Sequence, residues 1–262
     1  MVYVAGMDIG AIAVKTMIVD QNNIISTSVF ETGASPMNTA TESLQAALDL
    51  GGIRYGNLSY IVTTGHGRAK IPYANDQKSE ISAIAKGARI VNPSANVIAD
   101  VGGQGIRVIR LSEDGSVEKF LNNDKCSSGT GCFLDSMAIA LKVGVEDMGD
   151  LSRKSVSPSC MSTKCTIFAE SEVVSLVARG TSREDIIAGL HQSVAQKVQS
   201  LIRAIGGNGD VMICGGVVRN HGVVHEMEKI MGPGLTIAPH PQLVTALGAA
   251  IFGLEKVGRP AV

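Results

Sequence analysis

Short runs of apolar, largely β-branched residues recur along the chain, separated by polar turns and by longer stretches whose apolar positions step by three and four. Val4–Ile9, Val14–Val19, Ile24–Phe30, Leu58–Thr63, Val97–Val101, Ile106–Leu111, Val117–Leu121 and Val211–Cys214 predict strands. Between Ser182 and Gly206, the residues Ile187, Leu190, Val194, Val198, Leu201 and Ile205 form one face of a long helix, closed by Gly206 and Gly207. Phe133, Leu134, Met137, Ala138 and Leu141 mark the apolar face of a second helix, Phe168 to Ala178 a third, and Pro241 to Ala250 a fourth with small residues on one face. The mixture predicts an α/β protein.

One pattern occurs twice. Met7-Asp8-Ile9-Gly10 ends the first strand, and Ala99-Asp100-Val101-Gly102-Gly103 ends another; each is followed by a second strand and then a third. Two halves that begin alike predict a duplicated fold with a cleft between them. The expected division is 1–95 plus 241–262 for the first half and 96–240 for the second, with no linker rich in Pro or Ser between them.

Composition narrows the function. The 262 residues are 45% hydrophobic and 18% charged, which suits a chain with a sizeable core. A net charge of −1 provides no overall field to recruit nucleic acid or an anionic membrane surface, and nine aromatic residues are few for stacking on bases. Met1 to Asp20 does not read as a leader, and no run of about 18 apolar residues appears, so the expected location is the cytoplasm. Five cysteines without a secretion signal read as thiols, not as a disulfide framework.

The repeated turn has nucleotide chemistry. In Asp8-Ile9-Gly10-Ala11-Ile12-Ala13-Val14-Lys15, a carboxylate ends a strand, Gly10 allows close backbone approach, the amides from Gly10 to Val14 can cradle phosphate, and Lys15 can add a point charge. Asp100, Gly102, Gly103 and Gln104 offer a second carboxylate, a second glycine turn and a neutral amide. Facing loops of this kind would hold phosphates and Mg²⁺, with Asp8 and Asp100 on the ion's waters and Gln104 on the attacking water. Gly215 and Gly216, after a strand, could let an adenosine lie flat on the backbone. The chain has neither a GxxxxGK[ST] loop nor a well-placed GxGxxG, which removes the main support for P-loop and Rossmann readings.

This order of elements resembles the superfamily of acetate kinase, sugar kinases, heat-shock chaperone ATPases and actin, a duplicated ribonuclease H-like fold that closes over ATP. A narrower likeness lies in Asn123-Asp124-Lys125-Cys126-Ser127-Ser128-Gly129-Thr130-Gly131 and in Cys165-Thr166-Ile167-Phe168-Ala169-Glu170-Ser171-Glu172-Val173. These segments resemble the signatures of the ATP-dependent activators of 2-hydroxyacyl-CoA dehydratases, a family that includes the ATPase subunits of benzoyl-CoA reductase.

The resemblance implies an ATPase of anaerobic metabolism that passes one electron to a CoA-thioester dehydratase or reductase, with ferredoxin or flavodoxin as its own electron donor. It also implies a homodimer with one bridging 4Fe–4S cluster held by Cys126 and Cys165 of each chain, ATP or ADP with Mg²⁺, and contact of Gln242 with the nucleotide. Thiolates ahead of helix starts meet partial positive charge, which suits an anionic cluster. Two ligands per chain fall short of four, and a two-fold axis supplies the rest. A second arrangement stays open: Cys132 and Cys160, spaced C-x5-C and C-x4-C from the first pair, could complete four thiolates within one chain.

Cys214 reads as a small core residue, and Glu170 and Glu172 as first-turn carboxylates of the helix after Cys165. His66 stands in Thr-Gly-His-Gly-Arg where the family has Tyr. Ala11 and Ile12 replace hydroxyl residues, which leaves only backbone donors there, and Gly105 replaces an Asp. Two functions of other classes remain in view: a small-molecule kinase with Asp100 as general base, and a non-catalytic assembly module.

Overall fold

A computed structural model describes residues 2–21, 23–123, 129–161, 166–207 and 209–258. In chain order the elements are β1 (Tyr3–Ile9), β2 (Ala13–Val19), β3 (Ile24–Glu31), α1 (Pro36–Gly51), β4 (Leu58–Thr64), β5 (Asp76–Gln77), α2 (Glu80–Val91), β6 (Val97–Val101), β7 (Ile106–Leu111) and β8 (Val117–Asn123). Then come α3 (Gly131–Leu141), α4 (Met148–Ser152), α5 (Thr166–Ala178), α6 (Arg183–Ala204), β9 (Val211–Cys214), α7 (His221–Met231), β10 (Leu235–Ile237) and α8 (Val244–Lys256). The chain divides into two compact units, Met1–Ala95 with Leu111–Val117 and Ala238–Val262, and Asn96–Arg110 with Glu118–Ile237.

Each unit is built on a five-stranded sheet, and the two sheets have one topology. The first runs β3-β2-β1-β4-β5 and the second, read from its other edge, β8-β7-β6-β9-β10. In each, the first strand pairs antiparallel with the second and parallel with the fourth. The register puts Asp8 opposite Lys15 and Thr64, and Asp100 opposite Arg107 and Cys214. The repeat seen in the sequence therefore extends to a basic partner seven residues after each carboxylate, Lys15 and Arg107.

The central strands are covered on both faces, which is why β1 and β6 read as nearly unbroken apolar runs. In the first unit α1 packs on β1 to β3 while α8 packs on β1 and β4. Ser35 caps α1 through the Asn38 amide, with Pro36 in the first turn and left-handed Gly52 at its end. In the second unit α6 packs on β6, α4 and α7 and buries Ile187, Leu190, Val194 and Val198, and Ser182 caps it. His191 of α6 is fully buried; it accepts from Asn220 Nδ2, whose Oδ1 takes the α7 amides, and burial followed by nearby His221 lowers its pKa to about 3.

Two expectations change. The last helix begins at Val244, not Pro241: a turn closed by Leu243 N to His240 O holds Pro241 and Gln242 outside it. Helix α5 begins at Thr166, so Glu170 and Glu172 lie past its first turn, beyond the reach of its terminal partial charge.

The small face of α8 has a packing cause. Gly248 lies against α2 so closely that an added methyl group would overlap the Ala83 carbonyl oxygen, and Gly87 of α2 meets the Val244 carbonyl in the same way. Gly248→Ala must force the helices apart, and the expected cost is about 3 kcal/mol. A lower urea midpoint with unchanged slope is the predicted result; an unchanged midpoint would show that the pair can separate freely.

Candidate nucleotide and cluster sites

Asp8 ends β1 in a nearly buried position, its Oδ2 2.9 Å from Lys15 Nζ. Beyond it the loop is closed by Gly10 N donating to Ala13 O, and Thr32 braces it through its amide to Ile12 O and its hydroxyl to Gly10 O. Ala11 and Ile12 are exposed at the tip, Ala13 is half-buried and Val14 is buried in β2.

A second turn presses on the same carboxylate. Gly65, at φ +89°, comes so close that a methyl group there would sit 2.6 Å from Asp8 Oδ1, and Gly67 N donates to Ile9 O. Arg68 donates back to Gly65 O, leaving His66 exposed at the tip. Beside Asp8 in the register, the buried Thr64 hydroxyl has no hydrogen-bond partner among the described residues. Gln242 lies half-buried in the turn before α8, in the same unit.

The second unit repeats the carboxylate and adds a helix. Asp100 ends β6 almost buried, its Oδ2 3.4 Å from Arg107 and its Oδ1 accepting from the Cys214 thiol at 3.7 Å. Gly102 N to Gly105 O closes the loop, with Gln104 exposed and Gly103 half-buried. Left-handed Gly215 packs so tightly on β6 that a side chain would overlap the Val101 carbonyl, and Gly216 begins the turn toward α7. The Asp100 loop and the Gly215-Gly216 turn thus meet at the ends of β6 and β9.

Helix α3 has no side-chain cap. Its first amides find acceptors in the nucleotide-type loop instead: Gly131 N donates to Gly102 O and Cys132 N to Gly103 O, at 3.1 and 2.9 Å. Sequence reading placed the loop and the helix but not this bond, which a chain distance of about thirty residues conceals.

Cys126 and Cys165 lie outside the described residues. In the sequence they precede α3 and α5, and these helices pack together, sharing a core through Phe133, Met137, Ala169 and Val173. The outer side of α5 leaves Phe168, Val174 and Val177 exposed. Cys132 is half-buried, its thiol pushed up by burial and then by Asp135; Cys160 is exposed and Cys214 is buried. Among the described residues no group of three or more His, Cys, Asp or Glu is gathered for a metal ion, and no helix is long and apolar enough to cross a membrane.

The profile of the BadF/BadG/BcrA/BcrD ATPase family matches residues 5–253. The chain belongs to this family. Among similar proteins, an activator of lactoyl-CoA dehydratase from Anaerotignum propionicum is 38% identical over 97% of this chain and 98% of its own length. A crystal structure of the Acidaminococcus fermentans (R)-2-hydroxyglutaryl-CoA dehydratase component A superposes with a TM-score of 0.94 at 36% identity, covering 99% of this chain and 100% of that one. An activator of the 2-hydroxyisocaproyl-CoA dehydratase from Clostridium difficile, with bound ADPNP, gives a TM-score of 0.92 at 36% identity over 98% and 96%.

As a BadF/BadG/BcrA/BcrD ATPase, the chain carries the duplicated α/β fold of sugar kinases, heat-shock chaperone ATPases and actin. Taken separately, each unit has residues that suit a magnesium nucleotide, a strand-end carboxylate and glycine turns with no room for a side chain, and the first adds the orphaned Thr64 hydroxyl beside Asp8. For a cluster the sequence offers soft thiols at Cys126 and Cys165, with Cys132 and Cys160 as further free thiols.

Proposed function

We propose that this ATPase is a homodimeric activator of a 2-hydroxyacyl-CoA dehydratase, coupling ATP hydrolysis to delivery of one electron. Cys126 and Cys165 of two chains would hold a shared 4Fe–4S cluster, which when bound supplies the low-potential electron. The observation that carries the coupling is the pair of hydrogen bonds from Gly131 and Cys132 to the carbonyls of Gly102 and Gly103. A loop that answers to phosphate is thereby fastened to the helix that Cys126 precedes.

Asp8 and Asp100 would hold a Mg²⁺ ion, which when bound would neutralise phosphate charge, and Gln104, on an exposed loop tip, would place the attacking water. The amides from Gly10 to Val14 and those of Gly102 and Gly103 receive phosphate oxygens, with Lys15 adding positive charge. Gly215 and Gly216 give adenosine a flat backbone, and Gln242 contacts the nucleotide. When phosphate leaves, a shift of the Gly102–Gly105 loop pulls the first turn of α3 with it and biases the orientation of the electron-donating face. Dimer formation and docking would cover Phe168, Val174 and Val177, the apolar residues that α5 leaves exposed. Full-length similarity to dehydratase activators favours a dehydratase as the acceptor, with ferredoxin or flavodoxin recharging the activator in the cytoplasm.

Anaerobic loading with iron and sulfide, followed by assay of ATP-dependent activation of a purified dehydratase, tests the whole proposal. About four iron atoms per dimer and activation that requires ATP are expected. About four per monomer would overturn the bridging site, and an iron-free dimer with intact thiols would overturn the electron-transfer role.

A further inference from the structure

The proposed catalytic carboxylate Asp100 is held by its two cross-strand neighbours, and they differ in kind. On the antiparallel side Arg107 approaches Oδ2; on the parallel side Cys214 donates to Oδ1. The thiol is fully buried, and its position is fixed by the next residue, since Gly215 turns in the left-handed region directly against Val101. The hydrogen bond runs from the thiol to the carboxylate, so the sulfur is the donor.

We infer that Cys214 is a positioning residue for ATP hydrolysis: its S–H fixes the rotamer of Asp100 while occupying Oδ1 only weakly. A thiol is a poor donor, so it orients the carboxylate without taking up the acceptor strength that a metal-bound water would use. A methyl or isopropyl group in its place fills space but removes this contact to Oδ1. A hydroxyl retains the donor in a smaller volume. This rests on the assignment of Asp100 to the nucleotide site, and the test separates the two.

Ser and Ala are nearly equal in size and differ in the donor, so they divide positioning from packing. Cys214→Ser is expected to keep most of the ATPase kcat, while Cys214→Ala and Cys214→Val lower it about threefold to tenfold with the KM for ATP unchanged. Circular dichroism and melting identify which variants are folded, and either apolar variant suffices for the comparison. If Cys214 merely fills the core, the order reverses, with Ala or Val matching the parent and Ser the most damaged; that result overturns the inference. Asp100→Asn is the companion control. If it hydrolyses ATP like the parent, the assignment of Asp100 fails and the inference fails with it; if it is inactive while Cys214→Val is unaffected, only the inference fails.

Discussion

Cys126→Ser and Cys165→Ser are each expected to give a folded ATPase that binds no iron and activates no dehydratase. One substitution per chain removes two of the four thiolates of a bridging cluster, and a serine hydroxyl is too hard and too weakly acidic to replace them. Iron should fall from about four per dimer to background, and dehydratase activation should vanish with it. The hydrolytic residues proposed here lie on other segments, so ATP turnover should persist without coupling. Cys132→Ser is the informative comparison. Its amide makes the bond to Gly103, which serine preserves, while burial and Asp135 disfavour its thiolate; iron content should therefore stay at the parental level. Loss of iron in Cys132→Ser or Cys160→Ser would instead establish four thiolates within one chain. Phosphorylation of a small hydroxylated acceptor, undiminished in both Cys126→Ser and Cys165→Ser, would favour a kinase on the same scaffold.

Most of this fold was legible because the central strands are buried on both faces and so carry dense apolar runs. All eight strands read from the sequence are present, as is the long helix from Arg183 to Ala204 with its buried stripe. Helices α1, α2 and α7, of 16, 12 and 11 residues, were not placed from the sequence, and the other features that escaped were short or non-local. Strands β5 and β10 have two and three residues, too few for alternation to register. The start of α8 was misplaced because Pro241 fits equally well inside a first turn or ahead of one, and the His240–Leu243 turn decides between them. In the candidate site, the carboxylates and glycine turns could be read from their spacing, whereas their holders could not. Arg107, Cys214 and Gly65 reach Asp100 and Asp8 through strand register, which the linear pattern leaves undetermined. The equal interval from Asp8 to Lys15 and from Asp100 to Arg107 was the one visible clue, and it becomes meaningful once each pair is seen across a hairpin.

Asp8 can be disabled without changing it. Asp8→Asn removes the charge that would orient the metal's waters, and ATPase kcat is expected to fall on the order of 100-fold to 1000-fold. Gly65→Ala leaves every proposed reacting group in place, but its methyl would lie 2.6 Å from Asp8 Oδ1, at a φ of +89° that alanine resists. The methyl would also lie 2.5 Å from the Ile9 carbonyl oxygen, so the turn must move, dragging the Gly67 bond to Ile9 and disturbing the carboxylate packed against it. A displacement of about 1 Å in a catalytic group costs about 100-fold, so Gly65→Ala should approach Asp8→Asn in kcat while losing about 1–2 kcal/mol of stability from the strained backbone. Steady-state hydrolysis and urea unfolding on both variants check this. The two substitutions in one chain should be little worse than Asp8→Asn alone, because both act through a single carboxylate. Independent, multiplying losses would mean that the Gly65 turn serves the nucleotide directly, and parental turnover in Asp8→Asn would remove this carboxylate from the reaction altogether.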